Sequence, residues 1–475
     1  MRILLFVLLL SLSFVTCFYS CSTNTPNTNN STNDSDSTNV TKNILTGQII
    51  DRIACDNDSS QSFAVYLPKK YSSEKTYPVI YAFDPHGEGK LPISIYKDLA
   101  EQYGFILIGS NNSKNGIAWD ESQKIAKNLF AETRKRFSIN EQRIYLMGFS
   151  GGARIANALT IINGGIRGVI CCGAAIPAAN SDSPRGNYTF FGLVGNTDFN
   201  YTEMAKYDML DLAGNNIKHI LVTFDGKHEW PSKDIMNEGF WWLELNEMRK
   251  NISTKNDSLI TEHIQPIREQ LETYKQKKQT IETFNLSRKT INFYDGLTDL
   301  GAFYEAYKLS QSSSEVDTYL KQQEAMWAEE EKLKNEYIQA LQKKDFTWWN
   351  ESITKLNQKI KTGKTENALM NKRVLGFLSL AAYMQTSEAL KQNVLSAAEF
   401  YSKIYLLVDP VNSEAHYFRA GVYAKQGDTK QAVNALSNAI KNGYTDLSRL
   451  QNDTMFDTIR NTTEFKEVTK GIPPN

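Results

Sequence analysis

Short apolar runs alternate with segments of helical periodicity through residues 44–252. The runs are rich in β-branched and aromatic residues, whereas the segments between them repeat apolar positions about every three to four residues, as amphipathic helices do. We predict strands at Ile44–Arg52, Ser62–Leu67, Tyr77–Phe83, Phe105–Gly109, Arg143–Met147, Ile166–Cys172, Thr189–Val194 and His219–Phe224. We predict helices at Ile93–Tyr103, Asp120–Phe137, Ala153–Ile162, Thr202–Ala213 and Lys233–Arg249. Strands alternating with helices are joined by right-handed crossovers, so this pattern predicts a mostly parallel α/β sheet covered on both faces.

A different pattern begins at residue 253. Glycine becomes rare, and Gln, Lys and Glu occupy the polar faces of long amphipathic segments. These segments predict helices at Leu259–Thr283, Val316–Lys344 and Trp348–Thr362. A chain of 475 residues is too long for a single core. We therefore interpret residues 253–362 as helical hairpins and linker outside the α/β domain of residues 44–252.

Residues 363–475 contain a segment that resembles a tetratricopeptide repeat. Its small and apolar residues have the spacing that lets two helices pack closely: Tyr423, Gly427, Ala432, Leu436 and Ala439. Ala398–Pro410 resembles the second half of an earlier repeat, and Leu447–Val468 is expected to cap the end. Two interpretations stay open for this all-α domain, a groove for a protein or peptide partner and a structural appendage.

The charge balance argues against nucleic acid as a partner. Lys and Arg together number 53, as do Asp and Glu, so the chain has no net field that would attract polyanions. The five cysteines are too few and scattered for a disulfide framework. Cys171 and Cys172 fall on a predicted core strand, although a disulfide from Cys55 to either stays open. Neither CxxC nor HExxH spacing occurs, so we predict no metal or cofactor.

The first 20 residues have the features of a secretory signal peptide. Arg2 supplies a positive charge, and the apolar run Ile3–Val15 is too short to span a membrane in the mature protein. We therefore expect the protein to be exported.

Cys17 and Cys21 both lie in sequences that resemble the cleavage box of bacterial lipoproteins, in which the cysteine becomes the lipidated first residue. Cys21 fits better, because Ser20 before it is small and a polar tether begins at once. Residues 21–43 are rich in Ser, Thr and Asn and cannot bury a core, so we expect them to be disordered. The expected location is the bacterial cell envelope, periplasmic or at the cell surface, with a lipid on Cys21 as the only membrane attachment.

The candidate chemistry centres on Gly148-Phe149-Ser150-Gly151-Gly152. This G-x-S-x-G pattern follows the predicted strand Arg143–Met147 and precedes the predicted helix Ala153–Ile162. A strand, this pattern and a helix together indicate a nucleophile elbow, in which flanking glycines permit a turn that exposes the serine Oγ. Ser150 is the candidate nucleophile; the alternative is an ordinary Gly-rich loop.

Few residues can serve as the base or the acid. After the elbow, this domain contains only His219, which opens a predicted strand, and His228, which lies in the loop beyond it. A loop at the carboxyl end of a strand lets an imidazole reach the serine, so His228 is the candidate general base. Asp198 follows the preceding strand and is the candidate acid that orients His228. Other aspartates within reach are Asp208, Asp211 and Asp225.

An oxyanion hole needs two backbone N–H donors. One is expected from Gly151, the residue after the nucleophile. The other is expected from Gly87 or Glu88, in the loop Asp84–Gly89 after the third predicted strand. The alternative is that the glycines of this loop mark only a turn.

Together these segments resemble the α/β-hydrolase fold and, within it, secreted esterases related to feruloyl esterases, polyhydroxybutyrate depolymerases and dienelactone hydrolases. The segments that carry the resemblance are His86-Gly87, Arg143-Ile144-Tyr145 with the elbow, Asn196-Thr197-Asp198 and His228-Glu229-Trp230-Pro231. The resemblance implies carboxylic ester hydrolysis through a serine acyl-enzyme.

Substrate-binding residues are expected at His86, Trp119 and Trp230. The segment Gly173–Asn187 contains no clear helix or large cap, which favours an open site and a large ester, such as acyl groups on a glycan. Two alternatives stay open: a serine peptidase of the same fold, and a non-catalytic scaffold that binds partners through the tetratricopeptide-like region.

Overall fold

The computed structural model describes residues 45–177, 184–363 and 365–472. Its sheet consists of β1 Ile49–Cys55, β2 Asp58–Tyr66, β3 Tyr77–Phe83, β4 Ile106–Ser110, β5 Ile139–Phe149, β6 Ile166–Cys172, β7 Thr189–Gly195 and β8 Lys218–Phe224. The order across the sheet is β1-β2-β4-β3-β5-β6-β7-β8. The β1–β2 and β2–β4 pairs are antiparallel, and the pairs from β4 through β3, β5 and β6 to β7 are parallel. The predicted eight-stranded, mostly parallel α/β-hydrolase fold is confirmed.

Four helical segments connect the later strands: α1 Lys90–Tyr103, α2 Trp119–Arg136, α3 Gly151–Ile162 and α4 Tyr201–Lys206. A fifth helix, α5 Lys233–Arg249, follows β8. The single helix predicted at Thr202–Ala213 is instead α4 followed by a π-helical segment, Tyr207–Leu212. Strand β5 is longer than predicted, because Ile139 pairs with Tyr77 and Phe149 pairs with Cys172. The polar residues inside β5 concealed this length.

The sheet belongs to a compact unit that extends beyond the boundary predicted at residue 252. This sheet unit contains the described residues up to Val194 together with Glu203–Phe224 and Glu229–Tyr307. It therefore includes α6 Asp257–Gln276, α7 Thr280–Tyr294 and most of α8 Gly301–Gln311. The physical reason is that apolar residues of these helices share one hydrophobic core with Trp242 of α5, among them Ile260, Ile264, Leu271, Phe293 and Phe303.

The continuous helix predicted at Leu259–Thr283 was wrong. Two helices, α6 and α7, occupy this region, and they are separated at Lys278, whose φ is +55°. Helices commonly end at a glycine with a positive φ, and lysine rarely adopts that conformation. The local sequence therefore gives no signal for a helix end at this residue.

The second compact unit consists of Gly195–Thr202, Asp225–His228 and the described residues from Lys308 onward. Its helices are α9 Ser314–Lys343, α10 Phe346–Thr362, α11 Thr365–Lys391, α12 Leu395–Val408, α13 Ser413–Lys425, α14 Thr429–Lys441, α15 Leu447–Asn452 and α16 Thr463–Thr469. This helical unit confirms the predicted all-α region and its helices at Val316–Lys344 and Trp348–Thr362.

Within the tetratricopeptide-like segment, α13 and α14 are joined at Gly427, which has a φ of +80°. Ala432, Leu436 and Ala439 of α14 are buried, as their spacing predicts. Leu447–Val468 contains two short α-helices and a 3₁₀ turn, Thr454–Phe456.

Among the described residues, no helix is long and apolar enough to cross a membrane. The predicted signal peptide and the candidate lipidation residues Cys17 and Cys21 lie outside this part of the chain.

Candidate active site

Ser150 occupies a sharp turn between a strand and a helix. Strand β5 ends at Phe149, α3 begins at Gly151, and Ser150 between them has φ +52° and ψ −122°. A positive φ is costly for a residue with a side chain and is tolerated where the surrounding structure holds it. The Ser150 N–H donates to the Cys172 carbonyl at 2.8 Å, and the Ser150 carbonyl accepts from the Ala153 N–H at 3.0 Å. Ser150 therefore has the backbone geometry that a nucleophile elbow requires.

Gly148 and Gly152, on either side of Ser150, are required because backbone atoms approach them closely. A Cβ on Gly152 would lie 2.0 Å from the Phe83 carbonyl oxygen, and one on Gly148 would lie 2.3 Å from the Gly152 carbonyl oxygen. A Cβ on Gly151 would lie 1.8 Å from Oδ1 of Asn115. Sequence reasoning missed Asn115, which reaches the N-terminus of α3 from the loop after β4; only its structural neighbours identify it.

His228 and Asp198 form a buried acid–base pair. Nδ1 of His228 lies 2.9 Å from Oδ1 and 3.0 Å from Oδ2 of Asp198. The Asp198 side chain is 1% exposed and also accepts a hydrogen bond from the Asn200 N–H at 2.8 Å. Because a carboxylate accepts, this geometry assigns the proton to Nδ1, leaving Nε2 of the neutral imidazole as the basic nitrogen. The structure thus brings together two of the three predicted catalytic side chains within the helical unit.

Hydrogen bonds connect the loop that carries Asp198 to the loop that carries His228. The N–H and Oγ1 of Thr197 both donate to the Gly226 carbonyl, at 3.0 and 2.7 Å. Nδ2 of Asn196 donates to Oδ1 of Asp225 at 3.1 Å. A Cβ on Gly195 would lie 2.5 Å from the Gly226 carbonyl oxygen, so the two loops approach at backbone distance. Asp225, one of the rival acids, thus holds Asn196 in place.

The rival pair His219 and Asp208 has weaker geometry. Nε2 of His219 lies 3.8 Å from Oδ1 of Asp208, beyond hydrogen-bond distance, and Nδ1 of His219 lies 2.6 Å from the Ile217 carbonyl oxygen. Burial raises the pKa of Asp208, against the opposing effects of His219 and Arg288. Asp208 and the third rival, Asp211, both lie in the π-helical segment.

Asp84 organises the loop that was expected to supply an oxyanion donor. Its side chain accepts from the N–H groups of His86 at 2.8 Å and Glu88 at 3.4 Å, and its carbonyl accepts from the Gly87 N–H at 3.2 Å. Both amides predicted as oxyanion donors are therefore directed at Asp84 in this structure. Gly151 is the first residue of α3, where backbone N–H groups lack intrahelical acceptors.

The residues predicted to bind substrate differ in their surroundings. Trp230 has structural contacts: its ring packs against Phe149 and Tyr96 at centroid distances of 5.5 and 5.9 Å, and its Nε1 donates to Asp84 Oδ2 at 2.9 Å. His86 is exposed, and Trp119, the first residue of α2, is half-buried.

The cysteines of the described chain are not candidate nucleophiles. Cys55, Cys171 and Cys172 are free and buried, so the disulfide left open above is not formed. Burial raises the pKa of Cys171 and of Cys172 well above the ordinary range, which keeps both thiols protonated. In residues 45–177, 184–363 and 365–472, no group of three or more His, Cys, Asp or Glu residues is placed to hold a metal ion.

The chain is similar in sequence to acetylxylan esterases. It is 27% identical over 117 residues to acetylxylan esterase A of Talaromyces purpureogenus, which covers 22% of this chain and 31% of the relative. It is 26% identical over 117 residues to acetylxylan esterase A of Aspergillus ficuum, covering 22% and 39%. The chain thus spans less than two fifths of the length of either curated relative. No model of a known protein family matches the chain.

Part of the chain is similar in structure to several solved proteins, among them the following two. The feruloyl esterase module from Clostridium thermocellum is 18% identical, with 41% of this chain and 87% of that chain covered and a TM-score of 0.33. Est1E from Butyrivibrio proteoclasticus is 13% identical, with 42% and 98% covered and a TM-score of 0.32.

Proposed function

We propose that the protein is a serine hydrolase that cleaves carboxylic esters, with Ser150 as nucleophile, His228 as general base and Asp198 as the orienting acid. The observation that carries the proposal is the hydrogen bond of 2.9 Å between His228 and Asp198. The two residues follow β7 and β8 in the chain order that an elbow after β5 demands. The sequence similarity to acetylxylan esterases supports the same reaction class.

In the proposed reaction, His228 Nε2 takes the proton of Ser150 Oγ as that oxygen attacks the ester carbonyl carbon. The oxyanion of the tetrahedral intermediate is stabilised by the Gly151 N–H. The intermediate collapses by breaking the bond to the alcohol oxygen, which leaves with the proton held by His228. Water then attacks the acyl carbon of the acyl-enzyme and gives a proton to His228. The bond to Ser150 Oγ breaks, His228 returns the proton to Oγ, and the acid is released. Asp198 keeps the proton on Nδ1 and stabilises the imidazolium formed in each half-reaction.

The proposed substrates are acyl esters carried by a glycan, with acetyl groups as the first choice. The support is the similarity to acetylxylan esterases, together with a Gly173–Asn187 segment that contains no large cap in its sequence. An aromatic acyl group, as in ferulate esters, is the neighbouring possibility to compare in the same assay.

The test compares purified parent, Ser150→Ala and Ser122→Ala on 4-nitrophenyl acetate, acetylated xylan, methyl ferulate and a chromogenic peptide amide. Ser122 is a matched control, because its Oγ donates to the Ala118 carbonyl within the first turn of α2. We expect Ser150→Ala to lower kcat by about a millionfold on esters, as loss of the nucleophile does in other triads. Parental rates in Ser150→Ala would contradict Ser150 as the nucleophile. A parent no faster than the uncatalysed reaction would support the scaffold alternative, and preferred cleavage of the amide would support the peptidase.

We also propose that the protein is exported and held at a membrane by a lipid on Cys21. The support is the apolar leader, Ser20 and the polar tether in the sequence. Metabolic labelling with radioactive palmitate tests the residue choice: Cys21→Ala should lose the label, whereas Cys17→Ala should keep it. Binding of a protein or peptide partner by the tetratricopeptide-like region stays a prediction.

A further inference from the structure

The two loops that carry Asp198 and His228 belong to the helical unit. Residues Gly195–Thr202 and Asp225–His228 group with the helices from Lys308 onward. Two long helices of this unit, α9 and α11, form hydrogen bonds with one of the two loops. They reach the acid loop, defined here as Gly195–Thr202.

A buried ion cluster joins α9 to α11. Glu330 of α9 is fully buried, and its Oε1 accepts from Lys334 Nζ at 2.6 Å while its Oε2 accepts from Arg373 Nε of α11 at 2.7 Å. The Arg373 side chain is only 3% exposed. One carboxylate thus faces two cations, and each cation keeps further donors that a buried site must satisfy.

The remaining donors of Arg373 and Lys334 form hydrogen bonds with backbone carbonyls of the acid loop, on either side of Asp198. Arg373 Nη1 donates to the Asn196 carbonyl at 3.0 Å, and Lys334 Nζ donates to the Phe199 carbonyl at 2.7 Å. The Arg373 guanidinium also lies over the Tyr201 ring, 4.4 Å from its centroid. The loop backbone is therefore held by charge-assisted hydrogen bonds both before and after Asp198.

Phe199 extends this support to the base. Its ring centroid lies 4.2 Å from that of His228, with an interplanar angle of 35°. On the α11 side, a Cβ placed on Gly376 would lie 3.7 Å from Phe199 Cδ1, which is ordinary van der Waals contact. Phe199 therefore packs against the imidazole, and its other side faces α11 at a glycine that leaves room for the ring.

We propose that Glu330, Arg373 and Lys334 are positioning residues, which hold the acid loop so that Asp198 and His228 keep their mutual geometry. The helical unit is then required for catalysis. Neither interpretation left open by the sequence, a structural appendage or a partner-binding groove, includes this role. This inference rests on the proposed hydrolase function. A misplacement of about 1 Å at a catalytic group lowers rates by about a hundredfold, so such support has a measurable effect.

The test removes the buried Glu330–Arg373 pair as a unit, in the full-length double variant Glu330→Gln/Arg373→Met. Lys334, whose side chain is 13% exposed, stays charged and keeps its hydrogen bond to the Phe199 carbonyl. The control is Glu414→Gln/Arg449→Met, which removes an ion pair of similar geometry whose side chains are 30% and 35% exposed. Arg449 is also 2.7 Å from its glutamate and also lies over a tyrosine ring, 4.3 Å from the centroid of Tyr417, but its partners belong to the tetratricopeptide-like segment.

We expect the test variant to lower kcat about 10- to 100-fold with KM for 4-nitrophenyl acetate nearly unchanged, and the control to stay within about twofold of the parent. The strongly downfield proton resonance of the hydrogen bond between His228 and Asp198 should be lost or shifted only in the test variant. Arg373→Lys, which retains the charge, should recover part of kcat.

Lys334→Met is the second variant, should the double variant not fold. It removes the hydrogen bonds of Lys334 to the Phe199 carbonyl and to Glu330 but leaves the Glu330–Arg373 pair, and it should also lower kcat and move the downfield resonance. Equal kcat in the test and control pairs, with an unchanged resonance, would overturn the positioning role. If Ser150→Ala keeps the parental rate, the proposed function fails instead, and the resonance still reports on the positioning.

Discussion

Nε1 of Trp230 donates a hydrogen bond to Oδ2 of Asp84 at 2.9 Å, which ties the loop after β8 to the loop after β3. Asp84 is 1% exposed and also accepts from the N–H of His86. The indole N–H is therefore one of the donors that satisfy a buried carboxylate, and Trp230 stands two residues after the candidate base His228.

Trp230→Phe keeps the aromatic packing and removes this donor. We expect the free energy of unfolding to fall by about 1–3 kcal/mol, because one oxygen of a buried carboxylate loses its partner. KM should change less than about twofold. Denaturant unfolding and steady-state kinetics, with Trp119→Phe as the comparison, check both numbers. An unchanged stability with a raised KM would show instead that Trp230 binds substrate.

Asp198→Asn keeps the size of the side chain and removes its charge. By the behaviour of other triads, kcat should fall by about 10⁴-fold, since an amide can stabilise the wrong imidazole tautomer. Asp225→Asn, in the partner loop, should lower kcat by less than about tenfold. The reverse ranking of these two variants in an ester assay would assign the acid to Asp225.

Gly152→Ala tests the close packing under the elbow. The added Cβ would meet the Phe83 carbonyl oxygen at 2.0 Å, so the backbone must shift, and we expect a loss of about 3 kcal/mol in unfolding free energy. Gly164→Ala is the control, because nothing lies within 4 Å of the Cβ it would add; its effect should be within about 0.5 kcal/mol. Similar stabilities of the two variants in urea would contradict the geometry described for this turn.

Lys218 makes stability depend on pH. Burial lowers the pKa of Lys218 to about 8, helped by Arg249 and opposed by Asp295. The unfolded chain, with a lysine pKa of about 10.4, binds more protons than the folded chain between pH 8 and that value. The free energy of unfolding therefore rises with pH across this window, and the burial penalty is present in full below it.

Lys218→Met removes that penalty. The variant should be more stable than the parent by about 1 kcal/mol at pH 7, a value reduced for partial contact of the side chain with water. The gap should shrink by pH 10.5. Unfolding curves at both pH values measure it, and a gap that stays constant between them would contradict the origin in Lys218 titration.

The parts of the fold that were predictable have local signals. Buried parallel strands appear as short apolar runs, so β3, β6 and β7 were located to within a residue. The break at Lys278 was missed because the amphipathic pattern continues through it. The domain boundary predicted at residue 252 lies inside the sheet unit for a related reason. The polar surface residues of α6 conceal the apolar face that packs into the core of this unit.

In the candidate site, too, some residues were predictable from the sequence and others were not. Ser150, Asp198 and His228 were found because a motif and a required chain order left few choices. The role of Asp84 was missed, since its bonds depend on how the loop after β3 folds back on itself. Arg373 lies 177 residues from Asn196 in sequence, and a contact at that separation leaves no local pattern.

The central claim, that Ser150 is a nucleophile activated by His228 and Asp198, is tested most directly by a fluorophosphonate probe and peptide mass spectrometry. We predict one adduct per chain, located on Ser150, absent in Ser150→Ala and formed much more slowly in Asp198→Asn. An adduct on another residue, or equal labelling of parent and Ser150→Ala, would contradict the account.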